Sequence, residues 1–117
     1  NRCKELRLST FLCKLIDVTH KNVVKLNICS KRKHISILAG CIQLILSEFK
    51  IPFVPVEKIA KVCDNTCVST INTTFYKLHQ LRHKIMPKKE YVQKLIIEYR
   101  NEPLFHILPQ KFTIHLE

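Results

Sequence analysis

The sequence predicts an all-α domain of five helices with an extended C-terminal tail, and three observations lead to that prediction. Residues 35–49 carry apolar side chains on every face of a helix, so this segment must be buried on all sides. Apolar residues recur at helical spacing in segments 10–27, 55–63 and 69–84. Four prolines, at positions 52, 55, 87 and 103, fall where helices are expected to start or end.

The first helix is predicted over residues 10–27. Residues 1–8 precede it and could be the end of an earlier helix. Ser9 is a suitable N-cap because its hydroxyl can accept a hydrogen bond from a backbone N–H in the first turn. The buried stripe of this helix is expected to consist of Leu12, Leu15, Ile16, Thr19, Val23 and Leu26.

The central helix, residues 35–49, is too short to span a bilayer. It contains Gly40, the single glycine of the chain, where a glycine costs about 1 kcal/mol relative to alanine. The sequence favours a close approach of a crossing helix at residues 39–41, although Gly40 could simply be tolerated. Two prolines, Pro52 and Pro55, end this segment.

A short third helix is predicted over 55–63, with Pro55 at its first position. A turn at 64–68 follows, and Ser69 or Thr70 should cap a fourth helix that runs to about Lys84. The expected inner side of the fourth helix is Ile71, Thr74, Phe75, Leu78, Leu81 and Ile85.

Pro87 is expected to start the fifth helix and Pro103 to end it. Its buried side would be Val92, Leu95, Ile96 and Tyr99. In the tail, 103–117, apolar residues at 112, 114 and 116 alternate with polar ones. This alternation indicates a weak strand or an extended arm packed on the domain.

The charge is strongly positive, because 20 Lys and Arg residues face nine Asp and Glu residues, for a net charge of +11. No acidic residue occurs between Asp17 and Glu48 or between Asp64 and Glu90. This distribution predicts an anionic partner, nucleic acid before an anionic membrane surface. The six cysteines are scattered, several of them on apolar helical positions, which favours free thiols in a reducing compartment.

The third and fourth helices with their tight turn have the order of a helix-turn-helix, whose second helix can lie in the DNA major groove. The fourth helix has a polar outer face without acids, with hydroxyls and amides that can bond to base edges and cations that can neutralise phosphates. A solvated face of an ordinary helix pair gives the same pattern. The candidate DNA-binding residues are Ser69, Thr70, Asn72, Thr73, Tyr76, Lys77, Arg82 and Lys84.

The connector before the central helix, residues 28–34, adds the basic run Lys31, Arg32 and Lys33. A charge run in a loop is often only solvated. Alternatively, these residues hold a phosphate at the N-terminus of the central helix, where free N–H groups favour anions.

Other chemistries find less support in the sequence. Cys63 and Cys67 have the spacing of half a zinc site, but no second pair completes it. No histidine is paired with a cysteine in a recognisable nucleophile arrangement, and neither a P-loop nor a dinucleotide fingerprint occurs. We therefore expect no enzyme, no metal and no cofactor.

The order of these motifs resembles the cyclin-like repeat of the transcription factor IIB family, the second repeat more than the first. The matching segments are Cys3 to Leu8 (the stretch joining the two repeats), 33–36 entering an apolar helix, 57–60, 68–71 followed by Phe75 and Leu78, and 85–87. The series of matches extends over about 90 residues of the chain. Within this resemblance, residues 1–8 are the end of the inter-repeat linker, 9–102 the repeat and 103–117 the tail.

The resemblance implies a five-helix cyclin fold and a role in transcription initiation. Family members clamp a TATA-binding protein on promoter DNA and help recruit RNA polymerase, so double-stranded promoter DNA and both proteins are the expected partners of a monomeric chain. The alternative is a cyclin-like module that binds an acidic protein. The location would be nuclear in a cell, or a cytoplasmic replication site for a cytoplasmic DNA virus.

Two departures separate the chain from the family pattern. The turn at 64–69 is one residue longer, and the family's base-contacting valine and arginine are replaced by Ser69 and Asn72. The resemblance therefore implies general DNA contact rather than the family's own upstream element.

Overall fold

The computed structural model of the chain describes residues 2–51 and 54–100. Along these residues the secondary structure is all helical, which confirms the all-α prediction. The helices are α1 (Arg2–Glu5), α2 (Thr10–Lys25), α3 (His34–Glu48), α4 (Val56–Val62), α5 (Val68–Gln80), α6 (Arg82–Ile85) and α7 (Lys89–Tyr99). Two predictions lie outside the described residues: the weak strand near residues 112–116 and the end of the fifth helix at Pro103.

Helix α3 is the centre of the fold, as its apolar residues on every face predict. Helices α2, α4 and α5 all pack against it. Its buried positions cover all sides: Ser36, Ile37, Ala39, Gly40, Cys41, Ile42, Leu44, Ile45 and Leu46. No helix of the described ranges combines the length and apolar character needed to cross a membrane.

The close approach predicted at Gly40 is confirmed. A Cβ atom added there would lie 2.6 Å from Cγ2 of Thr74 and 3.2 Å from Cδ1 of Leu78, both on α5. Thr74 is held in place because its hydroxyl donates to the Thr70 carbonyl at 2.7 Å. Glycine at position 40 therefore lets α5 lie directly on α3.

Helix α2 begins as predicted, because Ser9 Oγ accepts a hydrogen bond from the Leu12 N–H at 3.2 Å. Its buried stripe is also as predicted, with one exception. Leu26 is 49% exposed, because α2 ends at Lys25 and Leu26 is its C-cap. Asn27 then turns the chain with a positive φ of 60°.

The prediction of a single fourth helix is wrong, because the segment forms two helices, α5 and α6, with a break at Leu81. The Leu81 N–H bonds to the Leu78 carbonyl, three residues back, at 3.0 Å. The guanidinium of Arg82 donates to the His79 carbonyl at 2.8 Å, and this carbonyl would otherwise accept from the N–H of residue 83 in a continuous helix. With the short helix α1, this break accounts for the difference between five predicted helices and seven found in the described ranges.

The predicted helix starts also need correction. Helix α5 begins at Val68 after Cys67, which makes no side-chain cap bond, so Ser69 and Thr70 lie in its first turn. Within the turn, the Thr66 hydroxyl donates to the Cys63 carbonyl at 2.6 Å, and α5 begins two residues later. Pro55 is the N-cap of α4 rather than its first residue, and Pro87 lies two residues before α7.

Candidate nucleic-acid interface

Helices α4 and α5 are in contact and are joined by a turn at residues 63–67. Asp64 and Asn65 give this turn two consecutive left-handed residues, with φ of 56° and 57°. Both residue types tolerate this conformation better than most. The arrangement is a short helix, a tight turn and a longer helix, the order of a helix-turn-helix.

The connector lies alongside the second of these helices and forms a groove with it. The groove has a volume of about 520 Å³. It is lined by Cys29, Ser30, Lys31, Arg32, Thr73, Tyr76, Lys77 and Gln80. We call it the basic groove, because these lining residues include three cations and no carboxylate.

The connector also borders a second cleft, between the start of α3 and the turn of the helix pair. Arg32, Lys33, Thr70 and the turn residues Asp64 to Cys67 contribute to its lining. Its acid, Asp64, is paired with Arg2, whose Nη2 lies 3.2 Å from both carboxylate oxygens. The connector therefore runs along α5 from the turn to Lys77, which brings the two predicted basic segments together.

The predicted base readers divide between two sides of α5. Ser69 and Thr73 are exposed, and the Thr73 hydroxyl donates to the Ser69 carbonyl at 2.7 Å. Thr70 is half-buried and lines the cleft beside Lys33. Asn72 lies apart from the basic groove, because its Oδ1 accepts a hydrogen bond from Nε2 of Gln43 on α3 at 3.2 Å.

The predicted phosphate contacts also lie in different places. Lys77 lines the basic groove, whereas Arg82 lies beyond the end of α5. There Nε of Arg82 and Nε2 of His79 both lie 3.8 Å from Oε1 of Glu48, the last residue of α3. Lys84 is exposed on α6 and is not among the residues that line the groove.

Sequence reasoning missed Ser30, Cys29 and Gln80 as members of this site. Gln80 could have been included, because it follows Thr73 and Lys77 on the outer face of α5. Ser30 and Cys29 could not, because only the packing of the connector on α5 brings them there.

The three thiols buried in the core, those of Cys3, Cys41 and Cys63, offer little nucleophilic chemistry. Burial raises the pKa of Cys41 to about 12 and that of Cys63 to about 11. The pKa of Cys3 is also raised, first by a hydrogen bond with Cys13 and then by burial. These thiols stay protonated at neutral pH. Within residues 2–51 and 54–100, no three His, Cys, Asp or Glu side chains are grouped to hold a metal ion.

Comparisons with protein-family models, with curated proteins and with solved structures found no match to this chain. The basic groove and the residues of the helix pair therefore remain the features that point to a function.

Proposed function

We propose that this chain is a DNA-binding, cyclin-like module of a general transcription initiation factor similar to the transcription factor IIB family. It would contact promoter DNA near a TATA-binding protein and help recruit RNA polymerase. The observation that carries the DNA-binding part is the basic groove, in which the connector adds Lys31 and Arg32 to the exposed side of α5. The family assignment is supported by the order of motifs in the sequence.

In this proposal the exposed side of α5 enters the major groove, and the connector follows one DNA strand. Lys31, Arg32 and Lys77 neutralise phosphates, which supplies most of the affinity regardless of sequence. Ser69 lies at the exposed start of α5 and Thr73 one turn further on, in the N-terminal half in which residues of a recognition helix reach base edges. The Ser69 hydroxyl can bond to several bases, whereas the Thr73 hydroxyl donates to the Ser69 carbonyl and can only accept from a base, so we propose weak sequence preference.

Asn72 contributes less to base reading in this arrangement than its residue type suggests. Paired hydrogen bonding to adenine needs both the oxygen and the nitrogen of the carboxamide. The oxygen of Asn72 already accepts from Gln43. Lys33 and Thr70 extend the contact surface toward the turn, whereas Lys84, on α6, is not among the residues that line the groove or the cleft.

The test is a charge reversal inside the groove with a matched reversal outside it. Lys31→Glu/Lys77→Glu removes two groove cations, whereas Lys89→Glu/Lys94→Glu makes the same charge change at exposed positions of α7. Fluorescence anisotropy with labelled duplex DNA at about 0.1 M salt should show a loss of about 10-fold or more for the groove variant and less than about 3-fold for the control.

Equal losses in the two variants would mean that only the net charge attracts DNA and would contradict a docking role for the groove. An unchanged affinity in the groove variant would contradict it as well. Thermal unfolding of both variants checks that neither loss comes from an unfolded chain.

A second candidate function is a cyclin-like module that binds an acidic protein. It is favoured by two exposed apolar residues at the end of α2, Val24 at 45% and Leu26 at 49% exposure, just before the connector. Apolar side chains beside cations suit a protein surface better than a phosphate backbone. Capture of an acidic polymerase subunit that is lost in Val24→Ser/Leu26→Ser, with duplex affinity unchanged in that variant, would support this candidate over DNA binding.

A further inference from the structure

Tyr76 is the feature of the basic groove that duplex binding leaves unused. It lies on α5 among the groove cations and is 65% exposed. Its ring centroid is 5.4 Å from that of Phe75, with the planes tilted by 56°. Phe75 is itself half-buried against the core and 5.7 Å from the His79 ring, so the aromatic pair is anchored on one side.

We propose that the basic groove also binds single-stranded DNA, with one unpaired base stacked on the ring of Tyr76. This inference rests on the proposed function, because the same groove cations would hold the phosphates in both cases. Proteins that bind single strands combine a positively charged groove with aromatic side chains on which bases stack. The basic groove has both components within one concave surface.

The positions of the cations fit a strand that passes over Tyr76. Lys31 and Arg32 line the groove from the connector, and Lys77 lines it from α5. Phosphates on either side of a stacked nucleotide would thus each meet a cation. The hydroxyls of Ser30 and Thr73 and the carboxamide of Gln80 add polar contacts within the same lining.

A duplex cannot use Tyr76 in this way, because its bases are already stacked on one another. The exposed ring therefore distinguishes two DNA forms that the cations alone would bind by the same electrostatic attraction. A groove that holds both forms suits a protein that meets promoter DNA before and after strand opening.

The experiment measures anisotropy of a labelled thymidine 12-mer and of a labelled duplex with the whole chain and three variants. Tyr76→Ala removes the ring, Tyr76→Phe keeps the ring without its hydroxyl, and Ile97→Ala shortens a side chain of α7 that is 66% exposed. Tyr76→Ala should weaken single-strand binding about 5- to 100-fold, because stacking of a base contributes that much. Duplex affinity should change less than about 3-fold in Tyr76→Ala.

Tyr76→Phe and Ile97→Ala should bind the single strand within about 2-fold of the unchanged chain, because the stacking surface remains. The inference is overturned if Tyr76→Ala leaves single-strand binding unchanged, if it weakens both DNA forms equally, or if Tyr76→Phe fails as Tyr76→Ala does. Failure of the proposed function gives a different result, because neither the unchanged chain nor any variant would then bind the duplex. Single-strand binding that depends on the ring would support the inference even then.

Discussion

Helix α5 has one side against α3 and another side facing the connector, and its polar groups differ in what they contact. On the α3 side, Asn72 bonds to Gln43, and Arg82 just beyond the helix faces Glu48 and the His79 carbonyl. On the connector side, Lys77 lies among other cations with no carboxylate in the lining of the groove. Residues of similar type thus have intramolecular partners on one side and are available to a ligand on the other.

The comparison of Lys77 with Arg82 shows why charge in a sequence is an incomplete guide to a binding site. The two cations are five positions apart in a region without acids. The acid that matters for Arg82 is Glu48, which packing brings from the end of α3 to 3.8 Å. A cation near a carboxylate contributes less attraction for a phosphate than a cation without one.

The largest effect is expected from Gly40→Ala, which separates stability from DNA binding. The new Cβ would lie 2.6 Å from Cγ2 of Thr74, a branched side chain that cannot swing away without losing its bond to Thr70. Overpacking of this kind costs about 1–3 kcal/mol, offset by about 1 kcal/mol from the better helix propensity of alanine. Urea unfolding should therefore show a net loss of stability of up to about 2 kcal/mol.

The matched rescue is Gly40→Ala/Thr74→Ser, because serine lacks Cγ2 and keeps the hydroxyl. We expect the double variant to recover most of the stability lost in Gly40→Ala, relative to Thr74→Ser alone. DNA affinity of the folded protein should stay the same in all three. Strictly additive losses would mean that the Thr74 methyl group is not the obstacle, and weakened DNA binding would contradict the separation of the two sides.

A smaller effect is expected from neutralising single cations on the two sides of α5. Lys77→Gln should weaken duplex binding about 2- to 5-fold at 0.1 M salt, because one phosphate contact is lost. Arg82→Gln should stay within about 2-fold, because Arg82 already contacts Glu48 and the His79 carbonyl. Anisotropy titrations of the two variants in the same buffer measure the difference.

The opposite ranking, with Arg82→Gln the weaker binder, would place the DNA at the end of α5 rather than in the groove.

The two variants should also differ in stability. Arg82→Gln should lower stability slightly, because the His79 carbonyl loses its donor. Lys77→Gln should leave stability unchanged, since no ion pair involves this side chain in the described ranges.

The smallest effect is expected in the pH dependence of the unfolding free energy, which involves His20 on α2 and neither side of α5. Burial lowers the pKa of His20, with a further lowering by His34 and an opposing effect of Asp17. Below the unfolded pKa of about 6.5, the unfolded chain therefore binds more protons at this position than the folded chain. The free energy of unfolding should fall as the pH drops through that value, because the stability present above it is lost.

His20→Gln should reduce the dependence of unfolding free energy on pH between 7.5 and 5.5. An equally steep dependence in this variant would assign the effect to other groups. The His20 and His34 rings are 6.4 Å apart, so His34→Gln provides the second arm of the experiment.

The elements that the sequence predicted best are those in which one local pattern decides the structure. Apolar residues on every face of 35–49 require burial on all sides, and a glycine inside such a helix indicates a close neighbour. Ser9 caps α2 through a bond within its own first turn. Each of these inferences needs only residues that are near one another in the chain.

The break at Leu81 and the hydrogen bond of Asn72 could not be predicted from the sequence, because both involve residues that are far away in the chain. The break involves a bond from Arg82 to a carbonyl and a contact with Glu48, more than 30 positions away. Asn72 is occupied by Gln43, 29 positions away on another helix. The candidate site was predicted in its two basic segments, but only tertiary packing shows that they form one groove and that Arg82 is not part of it.

The most direct test of the central claim, that the basic groove holds DNA phosphates, is the salt dependence of duplex affinity. Affinity of the unchanged chain and of Lys31→Glu/Lys77→Glu is measured from about 50 to 200 mM salt. Three to five neutralised phosphates predict a slope of log affinity against log salt of about −3 to −5, with a slope shallower by about 2 in the variant. A flat response of the unchanged chain, or the same slope in both proteins, would contradict the claim.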